Sequence, residues 1–434
     1  MKDGEVLLIW GGKVLSADGW LDPGFVTVRG GAVEQVGRGR PPDGAMRSAG
    51  LKLDASNHAV MPGLVNGHTH FSQVFMRGLA AGRPLLTWLG EVIWPLQKAL
   101  TVEDMRLAAL LGCVENLLSG ATTVVDHHKI CATKAHSEAV CSAAEEVGIR
   151  LVLARAWADR GTNAEDPKHI LEELHELLAA YGGSRLVKVA NGPLTPWRCS
   201  PESLQATHAL AGQYNAPTHI HLSETEVEVQ KTLDETGMRP VEWLDQLGML
   251  GKETQAVHGV WLQDHEIDLL AKRGVLTVHC PVSNAVLGSG IAPVASLAGR
   301  GVQLRLGTDG PASNDSQDLF ETMKMALSLA RAVSRDPMVL SPSDILSWAT
   351  QGHVLGPGER ADIILVDLDT PRSAPVNDTT SALVLSASAA DVSAVIVDGE
   401  IVVRDRQVKG VDQDELLEAC RRASKALMAR AGLA

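Results

Sequence analysis

Ala59-Val60-Met61-Pro62-Gly63-Leu64-Val65-Asn66-Gly67-His68-Thr69-His70 is an apolar run that closes on two histidines one residue apart. Side chains alternate along an extended strand, so His68 and His70 share a face on which both imidazoles can reach one metal ion. A lone His-x-His pair is equally compatible with two surface histidines. Its meaning therefore depends on what the rest of the chain places beside it.

From residue 59 to about 350 apolar strands alternate with longer helical stretches, a pattern that favours a parallel α/β architecture. The candidate strands end near His70, Asp126, Arg155, Gly192, His221, His258, His279 and Asp309. Eight such units predict a closed (β/α)8 barrel spanning residues 59–358. Short β-like runs precede it, Val6-Leu7-Leu8-Ile9-Trp10 and Phe25-Val26-Thr27-Val28, set off by Gly11-Gly12, Gly30-Gly31 and Pro41-Pro42. After Gly358 the β character returns in Ile363-Ile364-Leu365-Val366 and in Val392 to Val397. There Asp398-Gly399 stands between two apolar runs, a strong hairpin signal. The two terminal parts, 1–58 and 359–410, are expected to form one small β-sandwich domain. Residues 411–434 read as a closing amphipathic helix with Leu416, Leu417, Cys420, Ala423 and Leu427 on one face.

Composition narrows the class of partner. With 45% hydrophobic and 21% charged residues in 434, the chain is of ordinary globular make-up, which removes disordered and fibrous classes. A net charge of −13 would repel nucleic acid and anionic membranes over most of the surface, so neither is an expected partner. The cysteines Cys113, Cys131, Cys141, Cys199, Cys280 and Cys420 are scattered without a C-x-x-C pair, as reduced thiols are. The acid-containing start Met1-Lys2-Asp3-Gly4-Glu5 leads into no long apolar stretch, and no run approaches the ~18 apolar residues of a membrane span. The cytoplasm is the default location, and a homo-oligomer is compatible with the chain.

A barrel places its chemistry at the C-terminal ends of its strands. There Thr218-His219-Ile220-His221-Leu222-Ser223-Glu224 supplies His221 and Glu224, and Leu306-Gly307-Thr308-Asp309-Gly310 supplies Asp309. His68, His70, His221 and Asp309 make a three-nitrogen, one-oxygen set suited to one divalent metal, zinc or ferrous iron. Such an ion lowers the pKa of bound water and supplies a hydroxide nucleophile, for which Glu224 is the candidate proton shuttle. His258, at another strand end, is the candidate group that polarises the attacked carbon's substituent or steadies the hydroxide. His279 either lines the pocket or bonds the next loop. Asp126 of Asp126-His127-His128 either orients a ligand, lines the pocket or caps a helix. Lys188, which a two-metal carbamylated site would need, falls inside a strand and short of its active end, so it reads as structural. Trp88 and Trp94 serve equally as ring-stacking walls or as core.

These motifs, in this order, resemble the deaminase and chlorohydrolase branch of the amidohydrolase superfamily, over nearly the whole chain. Pro62 to His70 and His219 to Glu224 look like its first-strand and fifth-strand motifs. Ser283 to Pro293 and Gly307 to Asp315 resemble stretches shared by methylthioadenosine/S-adenosylhomocysteine deaminases and triazine hydrolases. The resemblance implies a barrel with a small β domain, one metal, and hydrolytic displacement at an electrophilic ring carbon of a small heterocyclic substrate. Arg155 looks like a pocket arginine of the adenosine-type enzymes. At the positions where methylthioadenosine deaminases carry a nucleoside-binding glutamate and histidine, this chain has Gln97 and Leu194, and glutamine at the first is shared with triazine hydrolases. The segment Ala349 to Asp362 is about ten residues shorter than in relatives.

The expected function is hydrolytic deamination of a purine-, pterin-, pyrimidine- or triazine-like ring, releasing ammonia. A triazine-type hydrolase expelling chloride or an alkylamine is the alternative. A catalytically inactive binding protein on the same fold is the reading of a different class.

Overall fold

The computed structural model describes residues 5–80, 82–128 and 133–433; the first four residues and Cys131 lie outside the described residues. In chain order the strands are β1 (Val6–Ser16), β2 (Gly19–Arg29), β3 (Ala32–Arg38), β4 (Leu51–Asp54), β5 (His58–Pro62), β6 (Leu64–Thr69), β7 (Ala121–His128), β8 (Arg150–Trp157) and β9 (Val187–Pro193). They continue as β10 (Thr218–Leu222), β11 (Thr254–His258), β12 (Leu276–His279), β13 (Gln303–Leu306), β14 (Ile363–Asp367), β15 (Val392–Val397), β16 (Glu400–Arg404) and β17 (Gln407–Val408).

Strands β6 to β13 pair in sequence order, all parallel where their register is given, and the helices between them cover the outside. Strands buried on both faces are apolar almost throughout, as parallel strands under helices must be. Leu64, Val124, Leu151 and Val189 pack with Leu117, Val140 and Leu174 of the flanking helices, and Ile220, Ala256 and Leu304 pack with Leu244, Ile267 and Leu297. The ring closes where β13 meets β6. The backbone N–H of Asp309 donates to the carbonyl of His68 at 2.9 Å, and the Asn66 carboxamide oxygen accepts from the Thr308 backbone at 3.1 Å.

That closure needs two glycines. A Cβ on Gly67 would stand 2.8 Å from the Leu306 carbonyl oxygen, and one on Gly307 would stand 2.9 Å from the His68 nitrogen. Neither backbone can retreat without parting the strands.

The other nine strands form one sheet in the order β17-β16-β15-β14-β5-β1-β2-β3, with β4 beside β1. The sheet folds over a core of its own, in which Ile9, Val26, Val28 and Val33 from one end meet Ile363, Leu365 and Ile396 from the other. The β15–β16 hairpin turns through Asp398 and Gly399, both at positive φ, as the Asp-Gly signal requires. Residues 59–62, whose apolar run leads into the first barrel strand, pair in β5 with β14 and β1, so the two sheets meet at Gly63. The short link after the helix Pro342–Thr350 is stitched to the small sheet directly. Leu355 donates to the Leu15 carbonyl at 2.9 Å, and Val33 donates to the Glu359 carbonyl at 2.8 Å.

The closing helix Gln413–Arg430 buries Leu416, Cys420 and Leu427, whereas Leu417 of the expected stripe is 38% exposed. Among the described residues no helix is long and apolar enough to cross a membrane.

Gly67→Ala is expected to destabilise the protein by about 1–3 kcal/mol, the usual cost of overpacking a closed core. The midpoint of urea unfolding reads it. Gly183→Ala, where an added Cβ meets nothing within 4 Å, should leave that midpoint unchanged.

Candidate active site

The strand ends bring His68, His70, His127 and His221 together, with one ring nitrogen from each lying within 4.8 Å of the others; His68, His258 and Asp309 form a second such group. Hydrogen bonds fix which nitrogen carries the proton in each expected ligand. His70 donates Nδ1–H to the His127 carbonyl at 2.7 Å, and His221 donates Nδ1–H to the Leu194 carbonyl at 2.8 Å. His219 Nδ1 donates to Gln255 Oε1 at 2.9 Å, so its Nε2 accepts from His68 Nδ1 at 2.8 Å. In all three expected ligands the lone pair is then on Nε2.

Those lone pairs face a carboxylate. Asp309 Oδ1 lies 3.3 Å from Nε2 of both His68 and His70, and His68 Nε2 is buried without a hydrogen-bond partner. The other oxygen, Oδ2, accepts from Ser283 Oγ at 2.5 Å and Ser313 Oγ at 3.3 Å, while the Gly310 N–H binds Oδ1 at 2.7 Å. A buried set of acceptors with no proton among them fits a divalent cation. Three residues of the expected set, His68, His70 and His221, thus meet together with His127, which that set did not contain, and the fourth, Asp309, meets His68 together with His258.

Burial pushes the pKa values of His68, His127, His221 and His258 down, that of His219 to about 4 and that of His279 to about 3. Burial opposes the charge on His70 as well, but the Asp309 carboxylate outweighs it and raises this one pKa. For Asp309 burial works against ionisation, but the His68 and His70 imidazoles beside it hold the carboxylate well below its ordinary range.

Glu224 lies on the cavity wall. Burial first, and then the charge of Asp309, push its pKa up to about 8, while a bond from Ser289 Oγ at 3.0 Å works against the rise. Its Oε2 is 3.6 Å from Nε2 of His258, whose Nδ1–H is held by Asn284 Oδ1 at 2.9 Å. One turn later Glu228 also faces the cavity, held by Trp197 Nε1 at 3.1 Å, with a pKa of about 7 caused by burial and then by Glu224. Ser223, His258 and Asp309 have φ of 52°, 75° and 62°. These left-handed residues turn the chain sharply at three strand ends, a strain that concentrates at working sites.

The cavity together with its open mouth encloses about 660 Å³. Trp88, Gln97 and Leu194 line it as expected pocket residues, together with Trp94, Gln73, Trp197 and Arg198. Arg155 and His279 stand elsewhere. The Arg155 guanidinium is buried against Glu165 and Glu173 of the following loop and helix, which take the donors a ligand would need. His279 is buried with Nδ1 unpartnered, and it is absent from the cavity wall. Asp126 receives the Phe71 N–H at 2.9 Å, which caps the turn that starts at His70. Lys188 points outward and bonds the Gly182 carbonyl.

Sequence reasoning gave no role to His219, Ser283, Asn284, Ser289 or Ser313. His219 carries a signal, the period-two partner of His221. The serines and Asn284 sit inside a recognisable motif but bear no spacing rule of their own.

Residues 59–402 match the model of the amidohydrolase family. The chain is 37% identical to a 5'-deoxyadenosine deaminase of Methanothermobacter thermautotrophicus over 98% of this chain and 99% of that protein. It is 36% identical to a 5-methylthioadenosine/S-adenosylhomocysteine deaminase of Pyrococcus furiosus over 91% of this chain and 94% of that one. Among solved structures it is similar to an adenosine deaminase from Xanthomonas campestris with bound zinc, at TM-score 0.92, 29% identity and 98% and 99% coverage of the two chains. An atrazine chlorohydrolase from Arthrobacter aurescens complexed with zinc has the same fold, at TM-score 0.91 and 24% identity, with 96% of this chain and 100% of that one covered.

A histidine whose folded pKa is lowered binds fewer protons folded than unfolded. Its stabilising contribution is complete above the ordinary value near 6.5 and is lost as pH falls towards the folded value. Six buried histidines, five of the cluster and His279, act in this sense. The raised Glu224 and Glu228 act in the opposite one, costing stability as pH rises from about 4.5 to 7–8. The melting temperature of chelator-treated protein should therefore fall steeply between pH 6.5 and 4, with only a shallow decline above pH 7. A flat profile below pH 6.5 would contradict the buried neutral imidazoles.

Proposed function

The chain belongs to the amidohydrolase family, and from that premise we propose that it is a metal-dependent deaminase of an amino-substituted N-heteroaromatic ring. The observation that carries this reading is Glu224. A buried carboxyl, with its pKa near 8, faces the same cavity as the lone pairs of His70 and His221 and the carboxylate of Asp309. The deaminase names of the relatives support the leaving group, and their adenosine-derived substrates support a purine-like ring.

His68, His70, His221 and Asp309 would hold the ion, with zinc favoured by the nitrogen-rich donor set and by zinc in the similar deaminase structure. When bound, a divalent ion supplies a nucleophilic water at neutral pH and Lewis acidity at the attacked carbon. Glu224 does the proton work. Ser289 fixes Oε1, leaving Oε2 to move two protons in turn: one from water to a ring nitrogen, and then the second, from the hydroxyl on the attacked carbon, to the departing amine. Overall a carbon–oxygen bond forms, the exocyclic carbon–nitrogen bond breaks, and ammonia leaves with the protons Glu224 has moved. His258, with Nδ1–H held by Asn284, presents Nε2 to Glu224 and to the substituent on the attacked carbon. Trp88 and Trp94 supply flat apolar walls that stack on the ring and exclude water.

A second reading keeps this machinery and changes the leaving group to chloride or an alkylamine. Gln97 and the apolar Leu194 on the wall favour it, because neither is the glutamate or histidine that the resembled methylthioadenosine deaminases carry there.

Glu224→Gln should lower turnover by roughly 10²–10⁴-fold while the bound metal, counted by elemental analysis, stays unchanged. Undiminished turnover would remove Glu224 from the mechanism, and protein that binds no metal would remove the enzyme reading. A panel of aminopurines, aminopterins, aminopyrimidines and chlorinated or alkylamino triazines, assayed for ammonia, chloride and alkylamine, should give ammonia. Chloride or alkylamine release alone would select the second reading.

A further inference from the structure

We propose a second ligand site, for a small amphipathic anion such as a medium-chain carboxylate, in a groove of about 860 Å³ on the flank of the barrel. The groove lies between the helices Val102–Leu118 and Gln413–Arg430. Its apolar lining is Leu111, Val114, Leu118 and Leu416, with the exposed Leu417 beside them; its charged lining is Arg77, Arg406, Glu115 and Asp318.

The formal charges balance, but the hydrogen-bonding capacity does not. Glu115 is bound by Arg77 Nη2 and by the Gln317 backbone N–H at 3.2 Å. Asp318 accepts from the N–H groups of Phe320 at 2.8 Å and Ala389 at 2.9 Å. Both acids are thus occupied. The donors are not: Arg77 Nε is buried with no partner, and Arg406 spends Nη1 on the Ala389 carbonyl and makes no ion pair with a carboxylate of its lining. Gln413 has its oxygen taken by the Val408 N–H, which leaves its amide donors open. A molecule entering here must bring acceptors for the guanidinium groups and an apolar body for the leucines. An amine of the same length brings neither an acceptor nor a counter-charge.

The groove is wired to the catalytic end of the barrel. Glu115 holds the Gln317 backbone, whose side chain accepts from Thr69 Oγ1 at 2.6 Å and donates to the Asp309 carbonyl at 3.1 Å. Arg77 directly follows the helical turn Phe71–Met76 that begins at His70. A ligand that draws on Arg77 therefore bears on the segments carrying His70 and Asp309, which makes this an effector site. The inference is independent of which reaction the catalytic cavity performs.

Calorimetric titration of the full chain with octanoate, octanol and octylamine tests the site. Octanoate should bind saturably near 1:1, and octanol and octylamine should not. Arg406→Ala, an exposed change, should weaken octanoate at least about tenfold. Leu118→Trp should fill the groove and abolish binding, with circular dichroism confirming its fold. Leu194→Trp, which narrows the catalytic cavity instead, should bind octanoate as the unaltered protein does. Absence of saturable binding, indifference to Arg406→Ala, or loss in Leu194→Trp would each overturn the site. Hydrogen exchange read by mass spectrometry should slow in residues 303–310 and 68–76 at octanoate saturation; unchanged exchange there would overturn the coupling.

Discussion

The structure depends on a constraint among protons rather than on any single contact. The Nε2 lone pairs of His68, His70 and His221 and the carboxylate of Asp309 converge in a buried space, and every ring proton that could have separated them is committed outward. Two of the three tautomers are set by backbone carbonyls, of His127 and Leu194, so they follow from the course of β7 and β9 rather than from side-chain choice. The third is set by a relay through His219 to Gln255. Convergent acceptors in a dry interior cost several kcal/mol unless a cation joins them, so the barrel carries the cost of a site that its ligand repays.

That convergence requires the ring of strands to shut tightly, since Asp309 and His68 are brought together only by the last strand meeting the first. The closure is a polar network rather than an apolar seam. The Asn66 amide nitrogen donates to Asn116 Oδ1 at 2.9 Å and Thr308 Oγ1 at 2.8 Å, and Gln317 ties Thr69 to the Asp309 carbonyl. Each of these groups is buried and satisfied by its neighbours, and a network of this kind specifies one register where apolar contacts would tolerate several. The paired glycines 67 and 307 let the two backbones approach closely enough for the network to form.

The parts legible in the sequence share a reason. His68, His70, His221, His258 and Asp309 stand at strand ends, where a strand's period of two and the barrel's polarity fix both the face and the end. The strand ends fall within three residues of their expected places, and the Asp398-Gly399 hairpin turns where its dipeptide demands. What was hidden belongs to loops and to long-range choice among equals. Arg155 ends a strand as pocket residues do, yet two acids of the following segment, Glu165 and Glu173, claim it, and nothing local announces that capture. Ser283, Asn284 and Ser289 reach Asp309, His258 and Glu224 across loops whose course no periodicity encodes. His127 joins the cluster because β7 runs two residues past its expected end at Asp126.

The division between strands and loops also explains how one machine can serve different rings. The reacting groups come from strand ends whose positions the barrel dictates. The wall comes from the segment 85–99, which passes through a wide π-helical turn at Leu89–Ile93, and from Leu194 to Arg198 after β9. A π turn inserts a residue's worth of slack into a helix and re-aims the side chains after it, here Trp94 and Gln97. Four wall atoms, Gln73 Oε1, Gln97 Oε1, Trp88 Nε1 and Thr195 Oγ1, are buried without partners. Leaving such buried atoms unpaired costs far more than a missing methylene does, so a ligand in this cavity would be sorted by whether it satisfies them. Positions 97 and 194 belong to that wall, so a change there alters the wall while the lone pairs, Asp309 and Glu224 stay where the strands put them.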